Sequence, residues 1–177
     1  MGRIFKLILI IIFTIGSIWA LVHYIRMDKF AFAWILNFLL MFFVAGFTET
    51  LNSQLSSSYF DEKSWEQRGK VYQTLGTNFY RKLLVLTGWE KLTRKANPIE
   101  RSNETLKKLH YQTKKSELDH VIILLIVAVF NVFAAFKVGV AKSLWLLLLN
   151  VLFNLYPIFL QRYNRPRIQR AINLSRR

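Results

Sequence analysis

Four apolar stretches decide what this chain can fold into: Ile4 to Val22, Phe30 to Phe47, Val121 to Phe136 and Ser143 to Leu160. Each is near the length that an α-helix, rising about 1.5 Å per residue, needs to cross a hydrocarbon core of about 30 Å. A soluble bundle would have to cover all four with polar chain. Too little is available, because 53% of the 177 residues are hydrophobic and the mean hydropathy is +0.26. The expected fold is all-α: a polytopic membrane protein with four transmembrane helices in two hairpins, residues 1–177 forming a single membrane domain. The strings HYIRMDK and KVGVAK would be the outer loops of the two hairpins. Arg3 and Lys6 precede the first stretch like the basic region of a signal peptide, but Ile18 and Trp19 interrupt any small-x-small cleavage pattern before Ala20. The reading is an uncleaved anchor.

A formal charge of +15 suggests nucleic acid until the charges are placed. With both termini on the cytoplasmic side, 21 of the 25 lysines and arginines fall there, and Arg26, Lys29, Lys137 and Lys142 fall opposite. That is the asymmetry of the positive-inside rule. The expected location is the cell (inner) membrane, with the N- and C-termini cytoplasmic and no nucleic-acid partner. A basic face so placed meets anionic lipid headgroups, each nearby Lys or Arg contributing about 1 kcal/mol. The absence of cysteine excludes disulfides, thiolate metal sites and cysteine nucleophiles.

Between the hairpins lies a cytoplasmic segment, about 48–118, too long for a mere linker. Within it Ser64 and Gln67 have the spacing of a capping box opening a helix. Tyr72, Leu75, Phe79, Leu83 and Leu86 follow at helical spacing with Arg68, Lys70, Arg81 and Lys82 among them. Two readings fit: a helix lying under the headgroups, or an ordinary amphipathic helix packed on its neighbours, with Gly76 able to break either. Asn97 and Pro98 mark a turn, and Ser102 or Asn103 can cap the helix that follows. From Glu104 that helix runs without punctuation into the third span. Leu106, His110, Thr113, Glu117, His120 and Leu124 share one of its faces.

The third span starts at the cytoplasmic face and the fourth ends there, so the strings YQTKKSELDH and QRYNRPR arrive at one depth. If these helices pack, Glu117 and His120 face Asn154, Gln161, Arg162, Asn164, Arg165 and Arg167. His120 is placed to act as a general base toward a hydroxyl, with Glu117 orienting its ring. The arginines, as rigid forks of donors, suit phosphate or a developing oxyanion. Pro166 is expected to end the fourth helix near Arg165, leaving 161–177 as a basic tail. Asn131, Asn150 and Asn154, inside spans, more often hydrogen-bond between helices than touch substrates. Glu117-x-x-His120 is half of a di-iron carboxylate pattern, but no second pair exists, and His23 and His110 have no zinc spacing with it. No metal is expected, nor any phosphate-binding glycine loop or nucleophilic serine motif.

The two strings resemble those of the glycosyl-4,4'-diaponeurosporenoate acyltransferase family of staphyloxanthin-type carotenoid synthesis. In that family a Thr-Lys-basic-small-Glu-Leu-x-His string precedes an apolar hairpin ending in Asn, Pro and Gln-Arg-Tyr-Asn-Arg-Pro-Arg. Here these correspond to Thr113, Lys114, Glu117, Leu118 and His120, then Asn154, Pro157 and Gln161 to Arg167. A weaker likeness joins Glu66, Gly69 and Lys70 to a Glu-x-x-Gly-Lys element, with a further one near Trp89. The resemblance covers the last 65 or so residues well and is patchy before them, with no firm match in the first hairpin.

It implies O-acyl transfer from an acyl thioester, such as acyl-CoA, to a sugar hydroxyl of a glycosyl carotenoid or related membrane lipid. No cofactor is implied beyond that co-substrate. The implied site has His120 and Glu117 as catalytic residues, with Thr113, Asn154, Gln161, Arg162, Asn164, Arg165 and Arg167 binding substrate. In that site Asn154, Gln161 or an arginine stabilises the oxyanion. The alternative from another class is a non-catalytic membrane protein that binds lipids or a biosynthetic partner through its basic face. A transporter is disfavoured by the lack of ionisable residues deep in the spans and of broken helices at mid-membrane.

Overall fold

The computed structural model describes residues 2–88 and 102–175, all helix, turn or loop, with no strand among them. Helix α1 (Arg3–Tyr24) and helix α2 (Phe30–Leu51) pack against each other across the turn at 25–29. A 36-residue helix, α5 (Asn103–Val138), is followed by α6 (Val140–Asn150), a wide π-turn (Val151–Leu155) and α7 (Tyr156–Leu174). From Val140 to Leu174 the helix is continuous. Among the described residues, four helices are thus long and apolar enough to cross a membrane, and they contain the four expected stretches. Gly139, at φ +95, supplies the left-handed residue that lets the chain turn between α5 and α6.

Packing divides the expected single domain into two compact units, residues 1–54 with 118–155 and residues 55–117 with 156–177. The first is an apolar helical unit. Phe32, Ala33, Leu36 and Leu40 of α2 join Ile123 and Val127 of α5 and Leu146 of α6 in a core with almost no exposure. Outward-facing side chains are also apolar, Phe13 and Trp19 on α1 and Val129 and Phe136 on α5 among them. A surface of this kind suits lipid rather than water.

The second unit holds the segment between the spans together with α7. Here the expected capping box is corrected. The chain enters a short 3-10 turn (Ser64–Gly69), and the side chain that closes it is Glu66, whose Oε2 accepts from the Lys63 backbone N–H at 2.6 Å. Left-handed Gln67 and Arg68, at φ +48 and +57, stop the turn before it can become the α-helix that Ser64 and Gln67 suggested. A short helix α3 (Lys70–Tyr72) and a wide turn through Gly76, at φ +88, then lead to α4 (Asn78–Leu86). Gly76 breaks the stripe as expected. Tyr80 of α4 is buried and stacks on Tyr156, whereas Phe79 and Leu86, 70% and 84% exposed, lie on another face. Ser102 caps α5 by accepting from the Thr105 N–H at 3.2 Å. The turn at Asn97 and Pro98 and the region of Trp89 lie outside the described residues.

Pro166 does not end the last helix, which runs on to Leu174. The proline costs a single i→i−4 bond, that to the Arg162 carbonyl. Gly69 comes close at that point: a Cβ on it would lie 3.4 Å from the Arg162 carbonyl oxygen and 3.0 Å from that of Tyr163. Both its φ of +82 and this approach therefore require glycine. The residues expected to form a basic tail are mostly helical and partly buried.

Candidate functional site

In the apolar unit, four polar side chains form one network. Asn37 lies on the buried face of α2 beside Ala33, Leu36 and Leu40, and Asn150 and Asn154 lie at the end of α6 and in the π-turn. Buried amides must find partners, and each does. Asn37 Nδ2 donates to the Ala33 carbonyl at 2.8 Å, and Asn150 Nδ2 donates to the Leu124 carbonyl at 3.0 Å. Asn154 Nδ2 donates twice, to Asn37 Oδ1 at 2.7 Å and to Asn150 Oδ1 at 2.8 Å. Its remaining atom, Oδ1, lies 3.3 Å from His120 Nδ1. Pro157 has no N–H for the carbonyl four residues before it, and that carbonyl, of Phe153, lies beside the same imidazole.

The side-chain partner found at the His120 ring is Asn154, whereas the oxygens of Glu117 are taken by Arg162 and Arg165. Asn154 also has no N–H left for an oxyanion, since both its amide hydrogens are used on Asn37 and Asn150.

In the second unit the network is ionic. Thr113 and Glu117, four residues apart on α5, and Arg162 and Arg165, three apart on α7, present their side chains from single helix faces. Glu117, with no exposure, takes Arg162 Nε on Oε1 at 2.6 Å and Arg165 Nη2 on Oε2. Arg162 also donates to Glu66 Oε1 at 3.2 Å and to the Tyr59 carbonyl at 2.8 Å. Arg165 donates to Thr113 Oγ1 at 3.2 Å and to the Phe60 carbonyl at 3.0 Å. Tyr72 completes the group by donating its hydroxyl to Glu66 Oε1 at 2.6 Å.

Two carboxylates and two guanidiniums therefore balance, as buried charge requires. Burial works against the Arg162 charge, yet Glu117, with Tyr59 and Glu66, holds its pKa above the ordinary value. Burial, reinforced by the hydrogen bond to Glu66, pushes the Tyr72 phenol well up, so it stays a donor.

Beside this core opens a cleft of about 240 Å³, lined by Phe60, Asp61, Glu62, His110, Lys114 and Gln169 together with Glu66, Arg162, Arg165 and Pro166. Burial, with Lys114 and Arg165 nearby, lowers the His110 pKa and keeps the ring neutral near pH 7. Gln161 donates to Ser116 Oγ at 3.2 Å. Arg167 turns away, lying 3.5 Å over the Tyr163 ring, and Asn164 is half-buried outside the network. Thus Thr113, Glu117, Arg162 and Arg165 meet, whereas Arg167 and Asn164 do not join them. No group of three His, Asp or Glu side chains converges among the described residues.

Sequence reasoning missed Asn37, whose signal was a lone amide in an otherwise apolar stretch, and it left Glu66 only as part of a short string. Tyr72 was read only as the first residue of an apolar stripe, and Tyr59 carried no signal of its own.

These features define a helical membrane-type protein with one neutral and one ionised polar network buried within it. Residues 56–174 match the family model for glycosyl-4,4'-diaponeurosporenoate acyltransferase (CrtO), and the chain belongs to that family of carotenoid-biosynthesis acyltransferases. The match begins after α2, leaving the first two helices outside it. No curated protein and no solved structure matches the chain.

Proposed function

We propose that the protein moves a fatty acyl group from an acyl thioester, such as acyl-CoA, to a sugar hydroxyl of a glycosylated carotenoid or related glycolipid within a membrane. The observation that carries this reading is the family match over residues 56–174. The imidazole of His120, held by Asn154 at 3.3 Å, is the base it needs.

In the proposed step the His120 ring takes the hydroxyl proton as the sugar oxygen attacks the thioester carbonyl carbon. Collapse of the tetrahedral intermediate breaks the C–S bond. The imidazolium then returns the proton to the departing thiolate, giving an ester and a free thiol. No cofactor is consumed, and no acyl-enzyme is formed. The buried ion cluster of Glu66, Glu117, Arg162 and Arg165 shapes the second unit. Most of the N–H groups of Arg162 and Arg165 are engaged within that cluster and the neighbouring carbonyls.

The membrane in this reading is the cell (inner) membrane, with both termini on its cytoplasmic side and basic residues against anionic headgroups. Labelling of Arg26→Cys and Arg167→Cys variants should report opposite faces, and matching labels would contradict the topology.

A second reading, a non-catalytic protein that binds lipids, draws on exposed Phe79 and Leu86 beside Arg81 and Lys82. Mass spectrometry of lipid extracts from cells with and without the protein separates the two. Transfer predicts esterified glycolipids only in its presence; unchanged lipids favour the second reading.

A further inference from the structure

The amide network fixes more than the position of His120. An amide group can be turned end for end, exchanging donor and acceptor, so its orientation has to be set by partners whose own roles are fixed. Here the chain of partners ends on two backbone carbonyls. The Ala33 carbonyl can only accept, so Asn37 must present Nδ2 to it, at 2.8 Å, and Oδ1 elsewhere. The Leu124 carbonyl imposes the same orientation on Asn150 at 3.0 Å. The two amide oxygens thus turned inward, at 2.7 and 2.8 Å from Asn154, demand its NH2 group. Asn154 is left with an oxygen, and no hydrogen, to offer the imidazole.

We infer that Asn37 and Asn150 are positioning residues that lock the Asn154 amide oxygen against His120, hold the ring proton on Nδ1 and leave the lone pair on Nε2 as the base. Turning Asn154 around would reverse the outcome, since its NH2 group would face Nδ1 and draw the proton to Nε2. The control therefore lies in part on α2, 117 residues before Asn154 in sequence. This inference rests on the reading of His120 as base, and it adds which nitrogen acts and what sets it.

The test is nitrogen NMR of the full chain, labelled with 15N-histidine and reconstituted in lipid nanodiscs. Of the three histidines, the His120 signals are those lost in His120→Gln. Wild-type protein should show His120 as the neutral Nδ1–H tautomer; an Nε2–H tautomer would overturn the inference without any variant being needed.

Asn37→Leu, which removes one of the two acceptors, should populate the Nε2–H form and lower kcat about tenfold with KM little changed. Asn37→Asp, protonated at this buried site, both accepts from Asn154 and donates to Ala33, and it should restore the wild-type tautomer and rate. An Asn37→Leu protein with wild-type tautomer and kcat would remove Asn37 from the mechanism. The spectrum tests the tautomer whether or not the protein turns over, so loss of the catalytic reading, shown by a fully active His120→Gln, would be told apart from loss of this one.

Discussion

In the apolar unit, Asn37, His120, Asn150 and Asn154 are joined without any carboxylate or guanidinium among them; in the other unit, Glu66, Glu117, Arg162 and Arg165 are joined through charge. The difference follows from the surroundings. A core of Phe32, Leu36, Ile123 and Leu146 cannot solvate an ion, so polarity there has to be carried by amides that satisfy one another. Beside a cleft walled by Lys114, Glu62 and Gln169, a balanced ion group is tolerable, and its strength ties α5, α7 and the loop of Tyr59 and Phe60 together. The neutral network leaves a basic nitrogen able to react. The ionic one uses nearly every donor and acceptor it has. On the proposed function, catalysis falls to the first and structural support to the second.

That assignment can be broken most sharply at His120. Replacing it with Ala should lower transfer by about 10²- to 10⁴-fold while the protein still purifies as a folded species, with a melting temperature lowered only modestly by the unpaired Asn154 oxygen. Removal of Glu117 should do the opposite, leaving the Arg165 guanidinium buried without a carboxylate and Arg162 with Glu66 alone. Glu117→Ala is expected to lose about 3–5 kcal/mol, read as a large drop in thermal unfolding temperature in detergent or loss of the monodisperse protein.

A smaller effect is expected at Tyr72, where Tyr72→Phe deletes one donor to Glu66 and should cost about 1.5–3 kcal/mol by the same unfolding measurement, with activity following stability. Gly69→Ala comes last. The left-handed backbone costs about 1–2 kcal/mol for an L-residue, to which the close contact with the Tyr163 carbonyl adds. If any of the last three changed kcat without changing stability, the division of labour between the units would have to be redrawn.

Much of this was legible in the sequence, because hydrophobic runs and helical spacing are local. The four apolar helices, the long α5, the cap at Ser102 and the break at Gly76 all follow from residues within a few turns of one another. So does the shared face of Thr113 and Glu117. Partner choice was harder to read. Glu117 and His120 are three apart and look like a pair, yet Glu117 is taken by Arg162 and Arg165, and His120 by Asn154, whose orientation depends on Asn37 over a hundred positions away. Pro166 looked like a helix end because its missing N–H is a local fact, whereas Gly69, which comes up against the freed carbonyl, lies far off in the chain. Arginines ending an apolar run looked free for phosphate. Only the fold shows that Glu66 and the Tyr59 and Phe60 carbonyls already occupy them.

The most direct test is acyl transfer by the purified protein in liposomes, with acyl-CoA as donor and a glycosylated carotenoid as acceptor, read by mass spectrometry of the ester. Wild-type protein should form the ester and release free thiol in equal amounts, and His120→Gln, equally well folded, should form almost none. Ester formation by His120→Gln at the wild-type rate would contradict the account.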